Sequence, residues 1–180
     1  MKDATRCWHV LLGLGAIVAV GCTPGEGKAQ SGAQGAPSAS STLKPIAMPK
    51  AEDWNDTQVQ WMGYDDGLAA AKAEKKPVCL VFFTTWCPHC KNFSHIFSDP
   101  RVVEQAKTFV MIRLDKDKNA EISKRYAMDG EYIPRTFFLK ADGTLDESIH
   151  APRDKFKYFY DEQRADSLLA SMTQASAKLR

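Results

Sequence analysis

The stretch Thr84-Thr85-Trp86-Cys87-Pro88-His89-Cys90-Lys91 decides how this chain folds. It follows the apolar run 78–83 and precedes a segment that can form a helix. A Cys-x-x-Cys pair at such a strand-to-helix junction is typical of a thiol–disulfide redox centre. Unpaired backbone N–H groups at the start of a helix favour negative charge, so the pattern predicts a reactive Cys87 thiolate. Cys90 lies one turn further into the helix, close enough to form a Cys87–Cys90 disulfide.

The chain has 180 residues, which corresponds to one domain with extensions. Its 24 basic and 22 acidic residues nearly balance, so the composition does not indicate a nucleic-acid partner. The five cysteines are the informative part of the composition, and their positions show that they are not equivalent.

Residues 1–21 are predicted to be a signal peptide of the lipoprotein type. Basic residues precede an apolar run that is too short to span a bilayer comfortably, and the run ends in Ala19-Val20-Gly21-Cys22. This ending indicates that Cys22 is lipidated and becomes the mature N-terminus. The alternatives are ordinary cleavage that leaves Cys22 free, or an uncleaved anchor. All three place the domain outside the cytoplasm, in the bacterial periplasm or at the cell surface, where disulfides can persist.

Residues 22–50 are predicted to be the lipidated cysteine and a disordered tether, and 51–180 the globular domain. The tether is rich in Gly, Ala, Ser, Gln and Pro and lacks a hydrophobic period. A flexible chain of this length reaches roughly 30 Å, enough to hold a domain clear of a membrane surface. A loop packed on the domain is the alternative.

The patterns in the domain alternate between strands and helices, which predicts an α/β fold with a mixed central sheet and helices on both faces. Asp65 or Asp66 is expected to cap the first helix, Asp99 the third, and Asp161 the last. Asp142-Gly143 indicates a tight hairpin turn that leads into a last strand. Strands are predicted at 59–61, 78–84, 109–115, 135–140 and 145–149, and helices at about 65–74, 88–97, 100–106, 119–126 and from 161 onward.

Several motifs together resemble the thioredoxin superfamily: the segment 86–91, Ile133-Pro134 before a strand, and a terminal hairpin with a helix. This resemblance covers residues 53–179 and implies a thioredoxin-like fold. More narrowly, 129–135 with 157–160 is similar to small single-domain oxidoreductases of the endoplasmic reticulum related to the anterior-gradient proteins. The Pro-His dipeptide is that of DsbA, a periplasmic oxidant, but the short interval between the motifs cannot hold the large helical insertion of DsbA.

The resemblance implies roles for the residues around the two cysteines. The Ile133–Pro134 bond is expected to be cis and to leave the Ile133 backbone free for an extended substrate. A trans proline that opens a strand is the alternative. Trp86 is expected to shield the sulfurs and contribute to docking, or to serve packing only. Pro88 suits the first helical turn, where its missing N–H costs nothing.

His89 and Val81 bear on the direction of the reaction. A charged or hydrogen-bonded His89 would stabilise the Cys87 thiolate and make the disulfide a better oxidant, whereas an exposed His89 would have little effect. Many thioredoxins carry a buried Asp where this chain has Val81. The proton acceptor for Cys90 must then be water or another carboxylate, such as Glu131.

Other cysteine and histidine residues are expected to be structural. Cys79 lies within an apolar strand and reads as a small buried hydrophobe, with a third redox cysteine as the alternative. A metal site built from Cys87, Cys90, His89 and His95 has suitable ligand types, but His89 points away if the cysteines share a helix face. Neither a metal nor a dissociable cofactor is therefore predicted.

The sequence predicts a membrane-tethered thiol–disulfide oxidoreductase that forms, reduces or isomerises disulfides with the catalytic residues Cys87 and Cys90. Its expected partners are protein thiols and disulfides, the membrane through a lipid anchor, and a membrane or periplasmic redox partner. Two alternatives stay open: a binding or chaperone-like module of the same fold, and a copper-delivery protein. The direction of the reaction is not predicted.

Overall fold

The computed structural model describes residues 53–179, which form a four-stranded mixed sheet between helices. The predicted signal peptide, Cys22 and the tether lie outside these residues. Within 53–179, no helix is both long and apolar enough to cross a membrane. The elements in chain order are β1 Trp61–Met62, α1 Tyr64–Glu74, β2 Val78–Phe83, α2 Pro88–Ser94, a 3-10 turn His95–Ser98, α3 Pro100–Ala106, β3 Val110–Asp115, α4 Ala120–Arg125, β4 Arg135–Leu139 and α5 Asp166–Lys178.

The strands lie in the order β1-β3-β2-β4. The pairs β1–β3 and β2–β3 are parallel, and β4 runs antiparallel to β2. The register of the last pair sets Phe82 opposite Arg135 and Val78 opposite Leu139. The C-terminal end of β2, which leads to Cys87, therefore lies beside the start of β4, which follows Pro134.

Successive residues of β2 face two separate cores, as the two-residue period of a strand requires. Cys79 and Val81 belong to the core that includes side chains of α2, α3 and α5. Val78, Leu80 and Phe82 belong to the core on the other face, with side chains of α1 and β3. Both faces of the sheet are thus covered, which confirms the predicted α/β fold class and explains the nearly unbroken apolar run of β2.

Two predicted helix starts differ from the structure. Helix α1 begins after Gly63 without a side-chain cap. Asp65 and Asp66 lie in its first turn, where the positive end of the helix dipole stabilises their carboxylates. The carboxylate of Asp161 accepts hydrogen bonds from the N–H groups of Gln163 and Arg164 and stabilises a turn, so α5 starts only at Asp166. By contrast, Asp99 caps α3 as predicted, since its side chain accepts from the Arg101 N–H.

The predicted strand 145–149 is wrong. After the turn at Gly143, whose φ is +86°, a single bridge joins Leu139 to Leu145 and the strand goes no further. Asp146 ends it: its carboxylate accepts from the Ser148 N–H and pairs with Lys178 of α5 at 2.7 Å. This side-chain turn competes with the ladder, as Asp commonly does in strands.

The outer edge of β4 is covered by segments that are not strands. The Thr136 N–H donates to the Tyr158 carbonyl at 2.9 Å, and the Phe138 carbonyl accepts from the Asp146 N–H at 3.2 Å. At the opposite edge of the sheet, β1 is only two residues long. The backbone of both edges thus offers few groups for further pairing.

Candidate active site

The start of α2 places both cysteines at the end of the sheet. Cys87 has an extended backbone (φ −79°, ψ 119°) and occupies the N-cap position, and Pro88 begins the helix. The Cys87 carbonyl accepts the first helical hydrogen bond, from the Lys91 N–H at 3.2 Å. One turn later, Cys90 lies on the buried side of α2. The sulfurs are therefore held by the transition from strand to helix that the sequence predicted.

Cys87 and Cys90 are free cysteines in the structure, and both are buried: Cys87 is 4% exposed and Cys90 1%. The Cys87 thiol donates to the Ile133 carbonyl, with 3.9 Å between sulfur and oxygen. The Ile133–Pro134 peptide bond is cis, as the resemblance implies. The structure thus brings together Cys87, Cys90 and the loop that carries Pro134.

The Cys90 thiol is held in its protonated form. Burial raises the pKa of Cys90 well above the ordinary value of a thiol, and hydrogen bonding and charge at Cys87 and the charge of Glu162 raise it further. A hydrogen bond involving the Thr84 backbone acts in the opposite direction but is outweighed. Because only a thiolate attacks, Cys90 must lose its proton before it can react.

His89 lies in the first turn of α2, on the exposed side of the centre. Its Nδ1 is 2.8 Å from Oε2 of Glu162, a residue of the loop before α5. The ring packs edge-on against Phe159, with 5.7 Å between the centroids. The second oxygen of Glu162 accepts from the Asn92 side chain at 3.2 Å. His89 therefore has a defined acidic partner, which the sequence did not indicate.

Trp86 stands beside the centre and is 66% exposed. Its indole N–H donates to Asp117 at 2.8 Å, which fixes the ring direction without burying it. Phe156 is a second exposed aromatic residue, and it packs edge-on against Tyr132, the neighbour of Ile133. Exposed apolar rings of this kind commonly mark surfaces that bind other molecules.

The buried side chain of Arg135 holds the loop that carries Pro134 in place. Its side chain is fully buried, and its guanidinium donates to the carbonyls of Tyr126 and Gly130, both at 2.9 Å, and to the Ser123 hydroxyl. Burial lowers the pKa of Arg135, but the ordinary pKa of a guanidinium is so high that the side chain stays charged. One side chain next to Pro134 thus ties the loop to the end of α4.

The structure also separates residues that the sequence grouped. Glu131, proposed as a proton acceptor, is exposed, and its charge acts on Lys124 and Arg135 rather than on Cys90. The carboxylate whose charge reaches Cys90 is that of Glu162. No local motif in the sequence marks Glu162, because it lies in a polar loop far along the chain from the two cysteines. Arg135 adjoins Pro134 in sequence, and a charged residue that begins an apolar strand was an available signal.

Cys79 is buried like Cys87 and Cys90, but it lies within a strand, away from the start of α2. It is completely buried within β2, burial alone raises its pKa, and its neighbours across the strands are Met111 and Phe138. Within residues 53–179, His, Cys, Asp and Glu side chains do not come together in groups of three that could hold a metal ion.

Comparison with known proteins shows which sequences and folds this domain resembles. Residues 60–141 match the family model described as thioredoxin-like. Anterior gradient protein 2-B of Xenopus laevis is 26% identical over 129 residues, which cover 71% of this chain and 76% of that protein. The described domain has a thioredoxin-like fold. A thioredoxin from Thermus thermophilus shares the fold, with a TM-score of 0.51, 22% identity, and coverage of 67% of this chain and 89% of that one.

A further relative is named for thiol–disulfide chemistry. The thiol:disulfide interchange protein DsbD of Vibrio vulnificus is 47% identical over 79 residues, which cover 42% of this chain but only 13% of that protein. That activity is the one in the name of the Vibrio protein; in this chain, the cysteine pair at the start of α2 has the arrangement typical of a thiol–disulfide redox centre.

Proposed function

We propose that this protein is an extracytoplasmic, membrane-tethered oxidoreductase that exchanges disulfides with protein substrates through Cys87 and Cys90. The observation that supports it most is the position of the Cys87 thiol, in contact with the Ile133 carbonyl beside the cis Pro134. A substrate chain that pairs with the Ile133 backbone would bring its own sulfur to Cys87.

In the reducing direction, the Cys87 thiolate attacks a substrate disulfide, forms a mixed disulfide and releases one substrate sulfur as a thiolate, which takes up a proton. Cys90 then loses its proton and attacks Cys87, which releases the second substrate thiolate and leaves the Cys87–Cys90 disulfide. Two electrons pass from the protein dithiol to the substrate. The oxidising direction is the reverse sequence, with a substrate thiolate attacking Cys87.

Cys87 and Cys90 take different roles because their surroundings differ. Cys87 occupies the N-cap position of α2 and contacts the loop where substrate would dock, so it forms the mixed disulfide. Cys90 is 1% exposed and its raised pKa keeps it protonated until the intermediate has formed. This division delays resolution until a substrate is bound.

Trp86 and Ile133 supply the docking surface in this proposal, and Pro88 and His89 adjust the redox centre. The exposed indole of Trp86 offers apolar area on one side of Cys87, and Ile133 offers a backbone carbonyl. Backbone recognition tolerates many sequences, so the substrates are a class of unfolded or extended protein segments rather than one partner.

Residues 1–21 and Cys22 supply the location in this proposal. A lipidated Cys22 followed by a flexible tether would hold the domain near a membrane that faces an oxidising compartment. A redox partner at the same membrane would then restore Cys87 and Cys90 after each cycle. Labelled palmitate should enter the wild-type protein in a bacterial host, and the Cys22→Ser variant should stay unlabelled.

Reduction of insulin disulfides by dithiothreitol, with and without the protein, tests the activity. The wild-type protein should accelerate insulin precipitation, and the Cys87→Ser and Cys90→Ser variants should not. Cys79→Ala is the matched control, since it also removes one sulfur but should keep the activity. If both serine variants matched the wild type here and in the refolding of a scrambled disulfide protein, the proposed function would fail.

A further inference from the structure

Glu162 joins the redox centre from a distant part of the chain. Its side chain is 18% exposed, although glutamate normally prefers full exposure, and both of its oxygens are used. One accepts from or shares a proton with His89 Nδ1 at 2.8 Å, and the other accepts from Asn92 at 3.2 Å. Both partners lie on α2, so Glu162 binds the helix that carries Cys90.

The other charges near Glu162 are paired with one another. Arg101 donates to Asp99 at 2.7 Å and to Asp166 at 3.2 Å, and Arg164 pairs with Asp161 at 3.3 Å. His95 lines the same groove but forms no ion pair among the described residues. Within 53–179, His89 and Asn92 are the side chains that Glu162 contacts. Its charge therefore acts mainly on His89 and on Cys90.

The sign of this charge matters for the redox equilibrium. The reduced centre carries a negative thiolate, whereas the disulfide is neutral, so a nearby positive charge favours the reduced form and a negative charge opposes it. A charged His89 alone would make the disulfide strongly oxidising. Glu162 Oε2 lies 2.8 Å from His89 Nδ1, so a positive charge on His89 would be balanced, and without that charge the carboxylate acts alone on Cys90. In either case, the centre meets less positive charge than it would without Glu162.

We propose that Glu162 is a positioning residue that holds His89 and shifts the Cys87–Cys90 couple towards the reducing side. The inference rests on the proposed redox function and refines it. A Pro-His centre with this partner is a weaker oxidant than one whose histidine is free. Reduction or isomerisation of substrate disulfides is then the favoured direction.

The equilibrium with glutathione measures this effect directly. Two glutathione thiols transfer two electrons to the protein disulfide, which yields the protein dithiol and one glutathione disulfide; the two glutathione protons pass to the protein or to solvent. In the Glu162→Gln variant, the equilibrium should move towards the protein dithiol by about tenfold, which corresponds to about 30 mV for a two-electron couple. Glu162→Asp keeps the charge and should lie much closer to wild type.

Glu131→Gln is the matched control, because it removes one carboxylate from an exposed site on the loop before Pro134. It should leave the glutathione equilibrium unchanged. If Glu162→Gln also left it unchanged, or moved it towards the disulfide, the inference would be overturned. A thermal melt of each reduced variant shows whether the domain is folded, and Glu162→Asp provides the same test should the glutamine variant unfold.

A second readout separates positioning from a general effect of charge. Nitrogen-15 NMR of the imidazoles should show a changed Nδ1 resonance for His89 in Glu162→Gln and an unchanged one in Glu131→Gln. An altered equilibrium with an unaltered His89 resonance would contradict the positioning role. The proposed function fails separately: a wild-type protein that reached no measurable dithiol–disulfide equilibrium with glutathione would not be an oxidoreductase of this kind.

Discussion

The two ends of strand β2 each lie close to a buried cysteine, yet only one end has the features of a reactive site. At its C-terminal end, the chain leaves the sheet and turns into α2, so Cys87 meets a loop carbonyl and Cys90 meets Cys87. Near its N-terminal end, Cys79 lies inside the ladder between Met111 and Phe138. Burial is shared, so reactivity depends on where the strand stops. We call these the redox end and the closed end of the sheet.

The largest expected effect is at the redox end. Cys87→Ser should reduce insulin-reduction activity to the background rate, because the attacking thiolate is lost. Cys90→Ala should also prevent turnover but should accumulate mixed disulfides on Cys87, since the resolving sulfur is missing. Non-reducing gels of protein from the native host would show these adducts. Adducts on Cys90 in a Cys87→Ser protein, at equal yield, would reverse the assignment.

Arg135 tests whether the redox end also contributes to stability. Arg135→Met should lower the free energy of unfolding by about 3 kcal/mol, because the buried carbonyls of Tyr126 and Gly130 lose their donor. Activity should fall as well, since the loop with Pro134 loses its attachment to α4. Urea titration with an insulin assay on the folded fraction measures both, and Arg153→Met, at an exposed site, is the control. A fully stable Arg135→Met protein would contradict this account.

Cys79 tests the closed end. Cys79→Ser should lower the free energy of unfolding by about 2 kcal/mol, because a hydroxyl enters an apolar site. Its insulin-reduction activity at a temperature where it is folded should equal that of the wild type. Cys79→Ala, without a hydroxyl, should lose less stability. Lost activity in a folded Cys79→Ala protein would mean that the sulfur takes part in the chemistry after all.

The smallest effect is expected at Asp146, also at the closed end. Its bonds to Lys178 and Ser148 lower the pKa of Asp146 from 3.8 to about 2. A carboxyl with a lowered folded-state pKa stabilises the fold above pH 3.8 and loses that contribution as the pH falls through about 2. Asp146→Asn should therefore cost about 1 kcal/mol at pH 7 and much less near pH 2.

Urea unfolding of Asp146→Asn at several pH values checks this prediction. The exposed Asp154, changed to Asn, is the control and should show little difference at any pH. A cost for Asp146→Asn that stayed constant down to pH 2 would show that the charge is not responsible. Activity should be unaffected, which keeps the closed end separate from the chemistry.

The sequence predicted the redox end better than the closed end. The apolar run of β2, the helix-starting Pro88 and the proline before β4 are local patterns, and each determines the backbone beside it. The hairpin signal at Asp142-Gly143 was equally local, but the strand it predicted fails because Asp146 binds Lys178 of α5. A contact between residues so far apart in the chain leaves no periodic trace.

The same reason explains which site residues were found. The Cys-x-x-Cys spacing identifies Cys87 and Cys90 in the sequence. Glu162 reaches His89 only through the placement of α5 and the loop before it. Val81 correctly indicated that the usual acid was missing from β2, where Val81 is fully buried. It could not indicate that the carboxylate whose charge reaches Cys90 is that of Glu162.

The covered edge of β4 has a consequence for crowding. An exposed strand edge can recruit other chains and start aggregates, a hazard that would grow if the proposed tether concentrated the molecules at a surface. Here the Thr136 N–H and the Phe138 carbonyl already have partners within the domain, and β1 is too short to offer a template. If substrates dock at Ile133 as proposed, an extended segment could pair with that loop while the strand edges of the domain recruit no further chains.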